Sequence, residues 1–419
     1  MSRPPRHDLR LIGWLSVAQL ISWGSVFYTF AVLLAPVEHE LGLSRAQSSL
    51  GFSLALLAEG LLAYPVGWLI DRGHERAVMT GGSLLLALGL LGHSLITGIT
   101  GFYVVWLVLG IGLAATLYPP AFAVVIRRFP DDFRRGIILM TFLGGLASTV
   151  FLPLSALLID AMGWRQALWV LAAIHLLVCA PLHAWVLRGA PAPQGLRPTT
   201  ATATTATKAA THAAPRAVRP TPSALRNPTL WLVGLCIVLI MGVTAALPPH
   251  MVSLLRESGL PESWAISVPA AMGVLQVAGR LLLYFQEHQV DRHLANRLIP
   301  CLIPLGLLAL LGAPWFGAAQ TTLVLLFVVV YGMGNGMFTI VKGTAVAEYV
   351  DPARAASLNG ALGVPMALGR AATPWLLGLL WSPAGGYACG LWLMLGLSLV
   401  GVAALVLAQR LAARPAHAR

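Results

Sequence analysis

Long apolar runs alternate with short polar breaks from one end of the chain to the other. A helix of about twenty apolar residues crosses roughly 30 Å of hydrocarbon, and twelve runs reach that length. They fall at 11–35, 46–70, 78–96, 101–126, 136–160, 165–187, 229–251, 264–286, 296–317, 321–345, 356–380 and 387–410. With no water beside it, each backbone N–H and C=O in such a run must be satisfied within the segment. The pattern therefore predicts an all-α membrane protein of twelve transmembrane helices. Most breaks are short, so neighbouring helices run antiparallel.

One break is long. Gly189 to Asn227 is rich in Thr, Ala and Pro with scattered Arg and Lys, and such a stretch has no apolar face to bury. It reads as a disordered cytoplasmic linker, 189–227, between six-helix bundles at 1–188 and 228–419. The two halves also repeat. Glu40–Leu43 ("ELGL") matches Glu257–Leu260 ("ESGL") at an offset of 217, which Trp14 and Trp231 share. Gly110–Gly112 ("GIG") matches Gly332–Gly334 ("GMG") at 222, and Pro130 then falls on Pro352. A common order at similar offsets predicts a duplicated unit, with a central site between two pseudo-symmetric bundles.

Charge fixes the expected orientation. Only 10% of the 419 residues are charged, against about 25% in soluble domains, so lipid is the expected solvent. The net charge of +12 would otherwise suggest nucleic acid. Its distribution argues for topology instead. With the N-terminus inside, 21 of the 27 Lys and Arg residues are cytoplasmic. Three lie in outer loops (Arg45, Arg165, Arg256) and three inside spans (Arg280, Lys342, Arg370). Both termini are thus expected in the cytoplasm, and no nucleic-acid partner is needed. The apolar stretch after the N-terminal arginines is too long for a signal peptide and reads as an uncleaved first helix. The four cysteines (Cys179, Cys236, Cys301, Cys389) sit in apolar runs without metal-ligand spacing. No phosphate loop, nucleophile elbow or metal motif appears, so no enzyme, cofactor or metal is expected.

The loop after the second run reads "GWLIDRGHERAV", Gly67 to Val78. It resembles the loop signature of the major facilitator superfamily, roughly G-x-L-x-D-R-x-G-R-R. Gly67, Leu69, Asp71, Arg72 and Arg76 match, whereas His74 and Glu75 stand where glycine and arginine are usual. The resemblance implies that the glycine lets two helices touch and that Asp71, Arg72 and Arg76 help latch the cytoplasmic side. Two further stretches, "YPPAFAVVIRRFPDDFRRG" with "GGLASTVFLPLSALLIDAMGWR", and "QVAGR", resemble the bacterial monocarboxylate and oxalate–formate porter branch. In that branch a helix 8 arginine binds the substrate carboxylate, and Arg280 occupies the matching position. The animal porters' aspartate four residues earlier is Gln276 here. Their helix 1 lysine has no counterpart around Tyr28 and Thr29.

A charge at mid-bilayer costs at least about 2.5 kcal/mol, so each charged residue inside a span needs a reason. Gln276, Arg280 and Tyr284 are spaced by four and share a helix face, which should turn inward. Arg280 suits a carboxylate, or pairs structurally with a carbonyl or an acid. Lys342 shares a face with Asn335 and Thr339, and it either contacts substrate or snorkels outward. Arg370 has the same two readings, substrate contact or structural pairing. Glu59, with apolar helical neighbours, is a candidate proton carrier or the ion-pair partner of one of the cations. Three cations against one acid favour an anionic solute. Trp23 and Tyr28 fall in an aromatic run of helix 1, as core packing or as the wall of a central pocket. His93, His175, His183 and His250 read as packing residues.

Together these readings predict a multi-pass transporter of the inner (plasma) membrane, acting as a monomer by alternating access and drawing on a solute or proton gradient. The expected solute is a small organic anion such as a monocarboxylate. Arg280 would hold it with Arg370 or Lys342, near Gln276, Tyr284, Asn335, Trp23 and Tyr28, while Glu59 would carry or sense a proton. Proton-coupled efflux of a drug or metabolite, and a non-transporting sensor on the same scaffold, are the alternatives.

Overall fold

The computed structural model describes residues 6–129, 133–189, 227–286, 292–350, 358 and 361–412, and the named elements among them are all helical. Apart from its end residues, the expected 189–227 linker lies outside the described residues. In chain order the helices are α1 (Arg6–Ser22), α2 (Phe30–Leu41), α3 (Arg45–Leu69), α4 (Glu75–Ser94), α5 (Ile99–Thr116), α6 (Tyr118–Arg128), α7 (Phe133–Gly145), α8 (Ala147–Met162), α9 (Trp164–Ile174) and α10 (Ala180–Val186). After the linker come α11 (Pro228–Glu257), α12 (Glu262–Gln286), α13 (Arg292–Gly312), α14 (Gln320–Tyr349), α15 (Gly363–Leu379) and α16 (Ala388–Ala412).

Among the described residues, nine helical stretches are long and apolar enough to cross a membrane. Two of them, Arg45–Ser94 and His293–Lys342, are 50 residues long. A straight helix of that length would extend about 75 Å, more than twice the hydrocarbon thickness. Both bend at a glycine in a left-handed conformation, Gly73 at φ 88° and Gly317 at φ 44°.

Several helices break inside an apolar run. Leu117 is extended ahead of Pro119 and Pro120, which begin α6 where their missing N–H groups are harmless. Leu146 separates α7 from α8. Between α1 and α2 the chain widens into a π-helical turn, Trp23–Tyr28. Side chains return to backbone carbonyls there: Ser25 Oγ donates to Ile21 O at 2.7 Å and Thr29 Oγ1 to Gly24 O at 2.9 Å. Turns of this kind concentrate at functional sites.

The motif matches have equivalent structures. Gly42 and Gly259 both take left-handed φ (64° and 82°), and the next leucine donates back five residues in each case, Leu43 to Glu38 O and Leu260 to Leu255 O. These are Schellman helix ends. Deeper in the fold, Glu75 is fully buried at the start of α4 and takes Arg128 Nη2 at 2.5 Å and Arg127 Nη1 at 3.5 Å. Arg128 also donates to Leu187 O at 2.9 Å. In the second half Asn296 Nδ2 donates to Tyr349 Oη and Gln409 Nε2 to the same hydroxyl, each at 3.0 Å. Asn296, Tyr349 and Gln409 lie 221 or 222 positions after Glu75, Arg127 and Leu187. The helix ends tied together are equivalent in the two halves, by ion pairs in the first; in the second Asn296 also donates to Glu348 Oε2 at 2.6 Å and Arg297 Nε to Gln409 Oε1 at 3.0 Å.

The largest apolar core draws only on residues between Leu230 and Ala408; the second draws on Ile21 to Cys179 and on Ala371. They meet along two seams. In the first, α3 faces α15: Gly60 abuts Ala367, and a Cβ on Gly378 would meet Ser49 Cβ at 2.7 Å and Arg45 O at 2.8 Å. Trp375 N–H donates to Ser53 Oγ at 3.1 Å. In the second, α8 faces α12: a Cβ on Gly273 would lie 2.6 Å from Gly145 O, and Thr149 Oγ1 donates to Ala270 O at 2.7 Å. Small residues and short hydrogen bonds are how helices approach closely in lipid.

A polar knot seals the end where α2, α3 and α11 meet the turn after α15. Arg45 pairs with Glu38 at 2.9 Å, contacts the Tyr387 hydroxyl and lies 4.9 Å over the Trp381 ring. Glu257 accepts Trp381 Nε1 at 3.1 Å. Below the knot, His250 bonds Tyr387 Oη at 3.1 Å and Pro374 O at 3.0 Å. Hydrogen bonds to charged groups contribute about 1.5–3 kcal/mol each. Arg45→Ala is therefore expected to loosen this end. In a protein otherwise free of cysteine, a cysteine at Ser49 should then react with a bulky thiol reagent at least roughly tenfold faster than with Arg45 present. An unchanged rate would show that the knot does not hold this end shut.

Candidate functional site

Halfway along the α3–α15 seam, Glu59 has no polar neighbour on its own helix face. Arg370 reaches it from the other half, Nη2 to Oε2 at 3.2 Å and Nη1 to Oε1 at 3.4 Å. The Glu59 side chain is 7% exposed and that of Arg370 21%. Two parallel contacts of this kind are the guanidinium–carboxylate fork. Lys342, on α14, lies in the field of both residues. Among the described residues no hydrogen bond or ion pair reaches its ammonium group. Of the readings open in the sequence, the structure has the Glu59–Arg370 ion pair.

Arg280, in mid-α12, reaches the other half at the last turn of α7. Its Nη1 donates to Thr141 O at 2.9 Å and its Nε to Gly336 O on α14 at 3.3 Å. A cation at a helix C-terminus is favoured by the carbonyl dipoles there. The Gly144–Gly145 pair makes room: a Cβ on Gly145 would lie 3.5 Å from Nη1, and one on Gly144 would strike the Tyr118 hydroxyl. Tyr118 and Tyr28 both lie in the field of the guanidinium, and Tyr28 lies within reach of the Gln276 side chain. Trp23 completes this wall, its ring centroid 5.2 Å from that of Tyr118. The π-helical turn thus places Trp23 and Tyr28 opposite α12. Asn335 lies on α14, one residue before Gly336, and is half-buried. The side chain of Tyr284 lies outside the described residues.

A profile of the Major Facilitator Superfamily matches residues 15–374. The chain belongs to that superfamily. Monocarboxylate transporter 13 of Rattus norvegicus is 30% identical over 326 residues, covering 72% of this chain and 68% of that protein. The cephamycin export protein CmcT of Amycolatopsis lactamdurans is 35% identical over 98 residues, which is 22% of this chain and only 20% of the relative. Among solved structures, a bacterial homologue of the human lysosomal transporter Spinster, inward-facing and occupied, superposes with a TM-score of 0.72. It is 16% identical and covers 97% of this chain and 98% of its own, a likeness of fold. The chain is a multi-pass membrane protein of a transporter family.

The superfamily's loop signature lies at the end of the molecule opposite the Arg45 knot. Asp71, Arg72 and Arg76 are exposed, and Arg72 stacks on Trp68 at 3.5 Å. A Cβ on Gly67 would meet nothing within 4 Å, so no close helix contact forms at that glycine in this structure. Glu75, a departure from the signature, is the buried anchor of the Arg127–Arg128 network. The four span histidines are all buried. His175 and His183 bond Ser25 and Ser83 at 2.7 and 2.9 Å, and His93 packs among Phe102, Trp106 and Trp164.

Removing one partner of a buried ion pair costs about 3–5 kcal/mol, because the other charge is left alone. Glu59→Ala and Arg370→Ala should each lower the thermal midpoint in detergent, Glu59→Ala more, since it leaves two cations, Arg370 and Lys342, in each other's field without an acid. The double variant should recover at least about 1 kcal/mol relative to the sum of the singles. Strictly additive losses in this cycle would mean that the pair is not coupled.

Proposed function

We propose that the chain is a secondary active transporter of a small organic anion, such as a monocarboxylate, working by alternating access in the inner (plasma) membrane. The observation that carries this reading is the charge at the meeting of the halves: among the described residues Arg370 is met by Glu59, whereas Arg280 bonds only carbonyls and Lys342 has no bonded partner. The uncompensated positive charge suits an anion, which Arg280 holds by the free edge of its guanidinium with Lys342 near. Gln276, Tyr28 and Asn335 border that position. The similarity to a monocarboxylate transporter supports the same class.

The reading divides the chain into twelve spans with both termini cytoplasmic. Each 50-residue stretch counts as two, and α15, with 17 residues, adds the last. Residues 1–188 and 228–419 form the two moving halves. The end sealed by Arg45 is then the outer one, and the loop at Asp71–Arg76 belongs to an open cytoplasmic side. The transporter works as a monomer. Protonation of Glu59 would free Arg370 from its partner and let the seam part, which couples transport to protons.

Export of an amphipathic solute has the Trp23–Tyr118 wall and the similarity to an export protein in its favour. It differs in requiring no anion seat. With purified protein in liposomes, uptake or exchange of labelled small organic acids is expected, falling at least roughly tenfold in Arg280→Gln. In Glu59→Gln, exchange should persist while accumulation driven by a pH gradient is lost. Full activity in Arg280→Gln would remove the anion reading in favour of export, and retained pH-driven accumulation would exclude Glu59 as the coupling group.

A further inference from the structure

Beside Arg280 stands a feature that an anion seat alone does not require. The Trp23 and Tyr118 rings meet at 5.2 Å with their planes inclined by 43°. Each ring has a further aromatic neighbour. Tyr118 stacks on Phe122 at 5.2 Å and 18°, and Trp23 meets Phe27 edge-on at 4.9 Å and 66°. Packed rings keep their orientation, so this wall is preformed. It also stands close to the guanidinium. The Tyr118 hydroxyl is packed on Gly144, and Arg280 Nη1 lies next to Gly145, the following residue of the same turn. A Cβ on Gly144 would strike the Tyr118 hydroxyl, and one on Gly145 would rest in ordinary contact with Arg280 Nη1.

The second observation is an orphaned donor. The Trp23 indole N–H is buried and has no acceptor among the described residues. Buried indoles usually find one. Arg280 spends one N–H on Thr141 and another on Gly336, out of the five it carries. A carboxylate fits the remaining guanidinium hydrogens, and the unspent indole N–H marks the edge of the wall as polar. A two-carbon acid at Arg280 would leave the wall bare. A flat π-bonded body would cover it.

We propose that the solute class is an aryl carboxylate, or one with an equally flat unsaturated body, whose acid group sits on Arg280 and whose face lies on Trp23 and Tyr118. This rests on the reading of Arg280 as the anion seat. The probes are benzoate, cyclohexanecarboxylate and acetate, titrated calorimetrically into purified full-length protein. The first two are close in size and share the acid group, but only benzoate has a π face.

Benzoate is expected to bind roughly two- to tenfold tighter than cyclohexanecarboxylate, with acetate weakest. Trp23→Leu and Tyr118→Leu should bring the benzoate-to-cyclohexanecarboxylate ratio to about one, whereas Trp23→Phe and Tyr118→Phe should keep it. Arg280→Gln should weaken both acids at least roughly tenfold. Equal binding of the two acids by the unmodified protein, binding of neither, or a preference that survives both leucine variants would overturn the aryl assignment. Unaltered binding in Arg280→Gln would overturn the anion seat instead, so the two failures are distinguishable. If a leucine variant does not fold, the ratio in the unmodified protein decides.

Discussion

A carboxylate in the middle of a membrane helix is tolerated only where a cation meets it, and for Glu59 that cation comes from the other half of the molecule. The pair therefore joins the two halves at the depth where joining is hardest. Around it the seam follows helical spacing. Arg45, Ser49, Ser53 and Gly60 recur along α3, facing Tyr387, Gly378, Trp375 and Ala367. Above the pair every contact is neutral or lies near the end of the helix, where water can share it. The pair itself is the one full charge–charge contact of the deep seam among the described residues. Anything that changes its charge acts on the whole contact between the halves.

The same constraint explains why Arg280 matters. It is placed against the carbonyl end of α7, which offers partial negative charge without a carboxylate. That is enough to keep a guanidinium in the bundle and too little to neutralise it. Lys342, near both members of the Glu59 pair, adds a second positive charge. In a low-dielectric interior such an excess stays long-range, and it is relieved by an incoming anion at least cost. Neither the seam nor the seat is visible in one half alone.

The residues legible in the sequence were those whose cost is individual. A charge in an apolar run stands out, so Glu59, Arg280, Lys342 and Arg370 could be picked from spacing and hydropathy. The Gly42 and Gly259 stretches stood out only as a repeated match, and the backbone shows why both keep glycine: each ends a helix at positive φ. The rest depends on pairwise geometry. That Glu59 takes Arg370 and not Lys342 is set by the register of α3 on α15, which hydropathy does not encode. Tyr118 and the Gly144–Gly145 pair went unremarked as site residues, since an aromatic or a glycine in a span is ordinary. The two consecutive glycines just before the break at Leu146 were the available signal. Gly67 differs in kind: its match to the loop signature implied a close helix contact, and this structure leaves open space there.

The two kinds of packing differ in a way that suits relative motion. Within each half, large side chains interdigitate: Phe30, Phe52 and Trp106 in the first, Phe327 and Tyr331 in the second. Separating such surfaces would open voids that nothing fills. Across the seams the contacts are glycine, alanine and serine against backbone, with few neutral hydrogen bonds. Small groups leave small voids, and their hydrogen bonds can be handed to water as a cavity opens. Among the described residues, the networks at Glu75 and at Tyr349 tie helix ends inside each half. Under the alternating-access reading, strength therefore lies where the bodies must stay rigid. Weakness lies where they must part, and among the described residues the strong deep ties between the halves are few: the Glu59–Arg370 ion pair and the bond of Arg280 to Thr141 O.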